Sequence, residues 1–125
     1  MAATITDQEA QAFADQLFDA RRSGVPVHAF TEARPELGLE DGYAIQRHLV
    51  ERLLAQGELI SGYKLGLTSL AMQELLKVDQ PDFGPVFATG VFPDGTELAV
   101  DRFIAPRIEA EIAVILGEDL SGPGC

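Results

Sequence analysis

Of the chain's 125 residues, 20 are Asp or Glu and 9 are Lys or Arg, which gives a formal net charge of -11. With two lysines and no basic run it lacks the clustered cations that neutralise nucleic-acid phosphates, and an anionic membrane surface would repel it. Hydrophobic residues at 46% and charged residues at 23% fit a globular domain and are too apolar for a disordered acidic tail.

No apolar run approaches the ~20 residues that span a bilayer. The opening residues 1–9 are polar and acidic, unlike a secretory signal, so one small cytoplasmic domain is expected. The single cysteine, Cys125, allows no intrachain disulfide and no thiolate metal cluster from this chain alone. Ser121-Gly-Pro-Gly-Cys125 reads as a turn directly after a strand-like run, and the chain is therefore expected to be a fragment.

Thr6-Asp7-Gln8-Glu9 is a capping box that starts a helix, because the Thr6 hydroxyl and the Glu9 carboxylate can each satisfy the other's backbone N–H. Ala10, Phe13, Ala14, Leu17 and Phe18 follow at the spacing of one buried stripe, and Gly24 and Pro26 end it. A second amphipathic helix is expected over 39–56, with Tyr43, Val50, Leu53 and Leu54 inward, Arg47, Glu51 and Arg52 outward, and Gly57 as its stop. The connector 25–38 is long enough for a functional loop but carries no motif.

After Gly57 the period changes. Residues 59–67 read as a glycine-interrupted strand, approached closely by another backbone or a ligand. Thr68 or Ser69 can cap a short helix reaching Lys77, and 78–85, with two Asp, two Pro and a Gly, reads as loop. Strands are expected at 97–100 and, more strongly, at 108–116. Helices first and strands second indicate an α+β fold, with a helical region 1–57 and a β-rich region 58–125.

Three places could carry chemistry. Glu109 and Glu111, two apart on a strand, project from one face and repel unless something positive lies between them. That pair suits a hard divalent cation such as Mg²⁺ or Mn²⁺, although Glu-x-Glu is common on strands and also fits an edge strand with a solvated Glu face and Arg107 nearby. Lys64 stands inside an apolar strand, where a partly buried ammonium of lowered pKa can act as acid, base or substrate anchor, or can simply guard a strand edge. Asp79 and Asp82 bracket Gln80-Pro81 as turn residues, or one of them pairs with Lys64 for acid/base work. His28 and His48 lack the spacing of a metal motif.

Taken in order, Gly62-Tyr63-Lys64-Leu65-Gly66-Leu67-Thr68-Ser69, Val78-Asp79-Gln80-Pro81-Asp82-Phe83-Gly84 and Pro106-Arg107-Ile108-Glu109-Ala110-Glu111-Ile112-Ala113 resemble the 2-keto-4-pentenoate hydratase family and its sister 4-oxalocrotonate decarboxylases, of the fumarylacetoacetate hydrolase superfamily. The resemblance implies helices followed by the first part of a mixed β-roll, and a Mg²⁺ or Mn²⁺ site in which Glu109 and Glu111 match two of three acidic ligands. It further implies that Lys64 and Asp82 match polar active-site residues, here taken as catalytic. The implied reaction is hydration of 2-hydroxypenta-2,4-dienoate to 4-hydroxy-2-oxopentanoate in aromatic degradation, with decarboxylation of a 2-oxo-hexenedioate as the alternative. Family members are about twice as long, so the chain is expected to be an N-terminal half that is a poor enzyme alone. An inactive fragment or a non-catalytic partner subunit is the reading of another class. Homo-oligomers, or a hydratase–decarboxylase complex, are the assemblies implied.

Overall fold

The computed structural model describes residues 4–118 and 120–123, so Cys125 and the end of the turn it closes lie outside the described residues. Helix α1 spans Asp7–Ser23, a short α2 Phe30–Ala33, and α3 Leu39–Ala55. Strand β1 is Ile60–Gly66, helix α4 Leu70–Leu76 and strand β2 Asp82–Phe87, followed by 3₁₀ turns at Ala88–Gly90 and Val100–Arg102. The order is α+β, as expected.

The capping box at Thr6 forms in both directions, and Gly24 closes α1 in the left-handed conformation its missing Cβ permits. Ala10 and Ala14 are fully buried against Ile45 of α3, so two small side chains bring the helices close. Contacts between the helices hold a nearly constant sequence offset: Thr4 with Asp41, Asp7 with Arg47 and His48, and Asp15 with Arg52. Helices α1 and α3 therefore run side by side in the same direction. A connector must then travel back along about 25 Å of helix, which accounts for the length of 25–38 without a loop function. Helix α2 lies within that return and places Phe30 on Phe13, ring centroids 4.4 Å apart.

The outward side of α3 differs from expectation. Leu54 is exposed, whereas Arg52 lies over the Phe18 ring at 3.9 Å and bonds Asp15, and His48 is largely covered while bonding Asp7 at 2.8 Å. Long cationic side chains cover apolar surface with their stems and stack on rings, so Arg52 belongs to the helix interface.

A second small core joins Phe18 of α1, Leu53 of α3 and Phe87 of β2, and so seats the hairpin on the helices. The two strands pair antiparallel, with Lys64 opposite Gly84 and Gly66 opposite Asp82. Residues 82–85, read from their Pro and Gly as loop, are the start of β2. The strand has a single sheet neighbour here, and an edge strand tolerates a proline that cannot donate.

The strands expected at 97–100 and 108–116 are not formed among the described residues. Residue 100 opens a 3₁₀ turn, and 108–116 is an exposed segment without regular structure or ladder partner. Alternation in a sequence specifies which side chains share a face, but a strand also needs a neighbour to accept its backbone hydrogen bonds. No helix among the described residues is long and apolar enough to cross a membrane.

Candidate active site

Strand β1 carries Lys64 to one end of the hairpin, and the register sets Asp82 opposite Gly66, two residues further along β1. The fit at Gly66 is close. A Cβ there would overlap Asp82 Oδ1 and lie 3.1 Å from its Cγ, so glycine is what lets the carboxylate lie across the strand end. Gly66→Ala is accordingly expected to swing the Asp82 side chain off the strand, visible as a changed Asp82 rotamer in a crystal structure, with the hairpin register kept.

From the other direction, the segment 107–116 passes β1. Lys64 Nζ donates to Glu111 Oε1 at 2.7 Å and lies 2.9 Å from Glu109 Oε2. The positive group between the two carboxylates is thus Lys64, 47 residues before Glu111, with Arg107 acting on Glu109 more weakly. The three side chains are each about half exposed, and exposed ion pairs of this kind orient groups more than they stabilise a fold.

Their electrostatics run against one expectation. The Glu111 and then the Glu109 carboxylate push the Lys64 ammonium above its ordinary range, and Lys64 holds Glu109 below the usual carboxylate value. A half-exposed lysine with two anionic partners is stabilised as the cation, so its pKa is raised and not lowered as burial alone would have it.

Lys64, Asp82, Glu109 and Glu111 line one cavity of about 400 Å³, together with Gly66, Leu67, Thr68, Ser69 and Met72. All four residues singled out as catalytic or metal-ligating in the sequence therefore meet. Asp79 does not line this cavity and lies in the loop beside a neighbouring one. Of the two caps the sequence offers for α4, the structure uses Ser69. Ser69 caps α4 by accepting from Met72 N–H, and Leu67 has a left-handed backbone, φ +54, that no residue type in the sequence announces.

The donor set fits a hard divalent cation in kind. Glu109 and Glu111 offer oxygen ligands, and both already converge on one positive group. It is short in number, because no group of three metal-ligating side chains occurs among the described residues.

A lysine and an aspartate on a hairpin packed against two helices, facing an acidic pair from a separate segment across one cavity, mark a small α+β chain with a carboxylate-rich polar site. The chain belongs to the family of the 2-keto-4-pentenoate hydratases. It is 40% identical over 112 residues to 2-oxo-hept-4-ene-1,7-dioate hydratase of Escherichia coli, covering 90% of this chain and 42% of that protein. It is 45% identical over 109 residues to the TodF product hydratase of Pseudomonas putida, covering 87% and 41%. With 2-keto-4-pentenoate hydratase of Paraburkholderia xenovorans it shares 36% identity over 116 residues, covering 93% and 43%.

The fold matches 4-oxalocrotonate decarboxylase from Pseudomonas putida G7, solved with magnesium and adipate, with a TM-score of 0.66 and 29% identity over 70% of this chain and 33% of that one. No protein-family model matches. The chain spans about two fifths of the length of the curated relatives named here.

Proposed function

We propose that this chain is the N-terminal part of a metal-dependent hydratase that adds water to 2-hydroxypenta-2,4-dienoate, giving 4-hydroxy-2-oxopentanoate in the breakdown of aromatic compounds. The observation that carries the reading is the single cavity shared by Lys64, Asp82, Glu109 and Glu111. The hydratase names of the relatives support the reaction class, and the magnesium in the decarboxylase structure supports a divalent ion.

In this reading Glu109 and Glu111 hold Mg²⁺ or Mn²⁺ together with donors from outside this chain. Such an ion, when bound, supplies Lewis-acid stabilisation of enolate charge. The Lys64 ammonium binds oxygens of an anionic 2-oxo or 2-hydroxydienoate substrate and can release a proton towards them. The Asp82 carboxylate, fixed across Gly66, orients water or accepts a proton. Residues 1–57 form a helical region that seats the hairpin, and 58–125 form the first part of a β-roll core. The exposed apolar residues Ile108, Ile112 and Ile115 support association with further strands, in a homo-oligomer or a hydratase–decarboxylase complex of the cytoplasm.

The decarboxylase fold match favours a second reading, loss of CO₂ from a 2-oxo-hexenedioate at the same site. The experiment is an assay of the full-length protein with each substrate, with Mg²⁺ and after chelation. Mg²⁺-dependent loss of the dienoate absorbance supports hydration. Turnover of the hexenedioate alone selects decarboxylation, and turnover of neither overturns both readings and leaves the non-catalytic partner as the next one to test.

A further inference from the structure

Between β1, which carries Lys64, and α4, the chain turns through a strained residue. Leu67 holds φ +54, a region that crowds the Cβ of any L side chain and that glycine enters freely. A conformation of this kind persists where the surroundings impose it. The Leu67 carbonyl is held from α4, where Gln73, only 8% exposed, donates to it from Nε2 at 2.6 Å.

The clamp has a consequence for the cavity. Leu67 and Thr68 line it beside Lys64 and Asp82, and Leu67 with Asp82 also borders the adjoining cavity of about 740 Å³. Leu67 and Asp82 are thus the wall between the two spaces. Were Leu67 to relax to a negative φ, the carbonyl would turn from Gln73 and that wall would move, while Glu109 and Glu111, on a separate segment, would stay.

We infer that Gln73 is a positioning residue: by holding the Leu67 carbonyl it keeps the left-handed turn in place and so sets the wall of the cavity against which a substrate lies beside Lys64 and Asp82. What the substrate is rests on the hydratase reading above; the clamp rests on the geometry.

The test uses the full-length protein and a rescue that a merely space-filling Gln73 would not show. Gln73→Leu is expected to lower kcat by about tenfold or more. Leu67→Gly, which takes the left-handed conformation without strain, is expected to make the clamp dispensable. The double variant should then turn over within about threefold of Leu67→Gly alone. Full activity in Gln73→Leu, or a double variant as slow relative to Leu67→Gly as Gln73→Leu is to the unmodified protein, overturns the proposal. Should Gln73→Leu fail to fold, the double variant decides: folded and active supports the clamp, unfolded overturns it.

Backbone chemical shifts of residue 67 give a readout independent of turnover. A left-handed signature that is lost in Gln73→Leu supports the clamp even if the protein acts on neither substrate, an outcome that would sink the hydratase reading alone. A signature unchanged in Gln73→Leu overturns the clamp whatever the activity.

Discussion

Glu109→Ala in the full-length protein is expected to lower Mg²⁺-supported turnover by about 10²- to 10³-fold, and Glu111→Ala to do the same, because in the proposed hydratase each would give an oxygen ligand to an ion that stabilises enolate charge. Titration calorimetry should show Mg²⁺ affinity falling in parallel. The two residues reach one point in space although the segment carrying them forms no ladder here, and Lys64 is what they meet. That arrangement makes the outcome discriminating. If Glu109 and Glu111 serve only as counter-ions to Lys64, their removal leaves Mg²⁺ affinity untouched, and the metal assignment falls. Lys64→Met then separates the roles, because it takes away the ammonium and leaves both carboxylates for the ion.

The largest effect on folding is expected at Asp41. It is 1% exposed, and its carboxylate accepts four bonds: from Thr4 N–H at 2.6 Å, Ile5 N–H at 3.0 Å, the Thr4 hydroxyl at 2.9 Å and Gly38 N–H at 2.8 Å. It thereby ties the segment before α1 to the start of α3, where a negative charge also complements the helix dipole. Asp41→Asn presents an N–H₂ where only acceptors fit, leaves buried donors unpaired, and is expected to lower the unfolding midpoint by on the order of 10 °C.

The Gly38 N–H above all, with those of Ile5 and Thr4, outweighs burial and holds the Asp41 carboxyl at about 2, against an ordinary 3.8. A depressed folded-state value means that the unfolded chain takes up the proton first as pH falls. The contribution of Asp41 is therefore complete above pH 3.8 and is lost as pH drops towards 2. Urea unfolding of the native and Asp41→Asn proteins across that range should show their stability difference narrowing at the acid end. A difference that stays constant with pH would mean that the ionised carboxylate is not what holds the helices.

The helices were legible because their signals are local. A capping box, a stripe at i, i+3, i+4 and a closing glycine lie within one segment, and α1 and α3 follow them to within a residue at most ends. The parallel course of those helices was not legible. It arises from pairings about 40 residues apart, such as Asp7 with Arg47, that no local pattern carries. Residues 82–85 were misread for the same reason, since Pro85 and Gly84 look like turn residues until the partners Tyr63 and Lys64 in β1 are known.

The sequence points to all four charged residues that line the cavity and leaves the state of one open. Its apolar neighbours allow Lys64 either a lowered pKa or the role of a strand-edge guard, and the two carboxylates that raise its pKa come from the far end of the chain. The left-handed Leu67 was invisible, because glycine is the residue that advertises such a backbone and leucine does not.

The exposed segment 108–116 has a consequence for handling the protein. Ile108, Ile112 and Ile115 are more than nine-tenths exposed, and β-branched residues in an unpaired stretch are templates for intermolecular stacking into aggregates. Glu109 and Glu111 interrupt that stretch with charge, the device by which natural sequences guard such runs. The same two carboxylates thus act as colloidal gatekeepers, and an alanine at either position removes a guard as well as the proposed ligand. Glu109→Asp and Glu111→Asp keep the charge while withdrawing the oxygens by one methylene. Light scattering alongside the assay would then separate a protein that has lost its chemistry from one that has begun to clump.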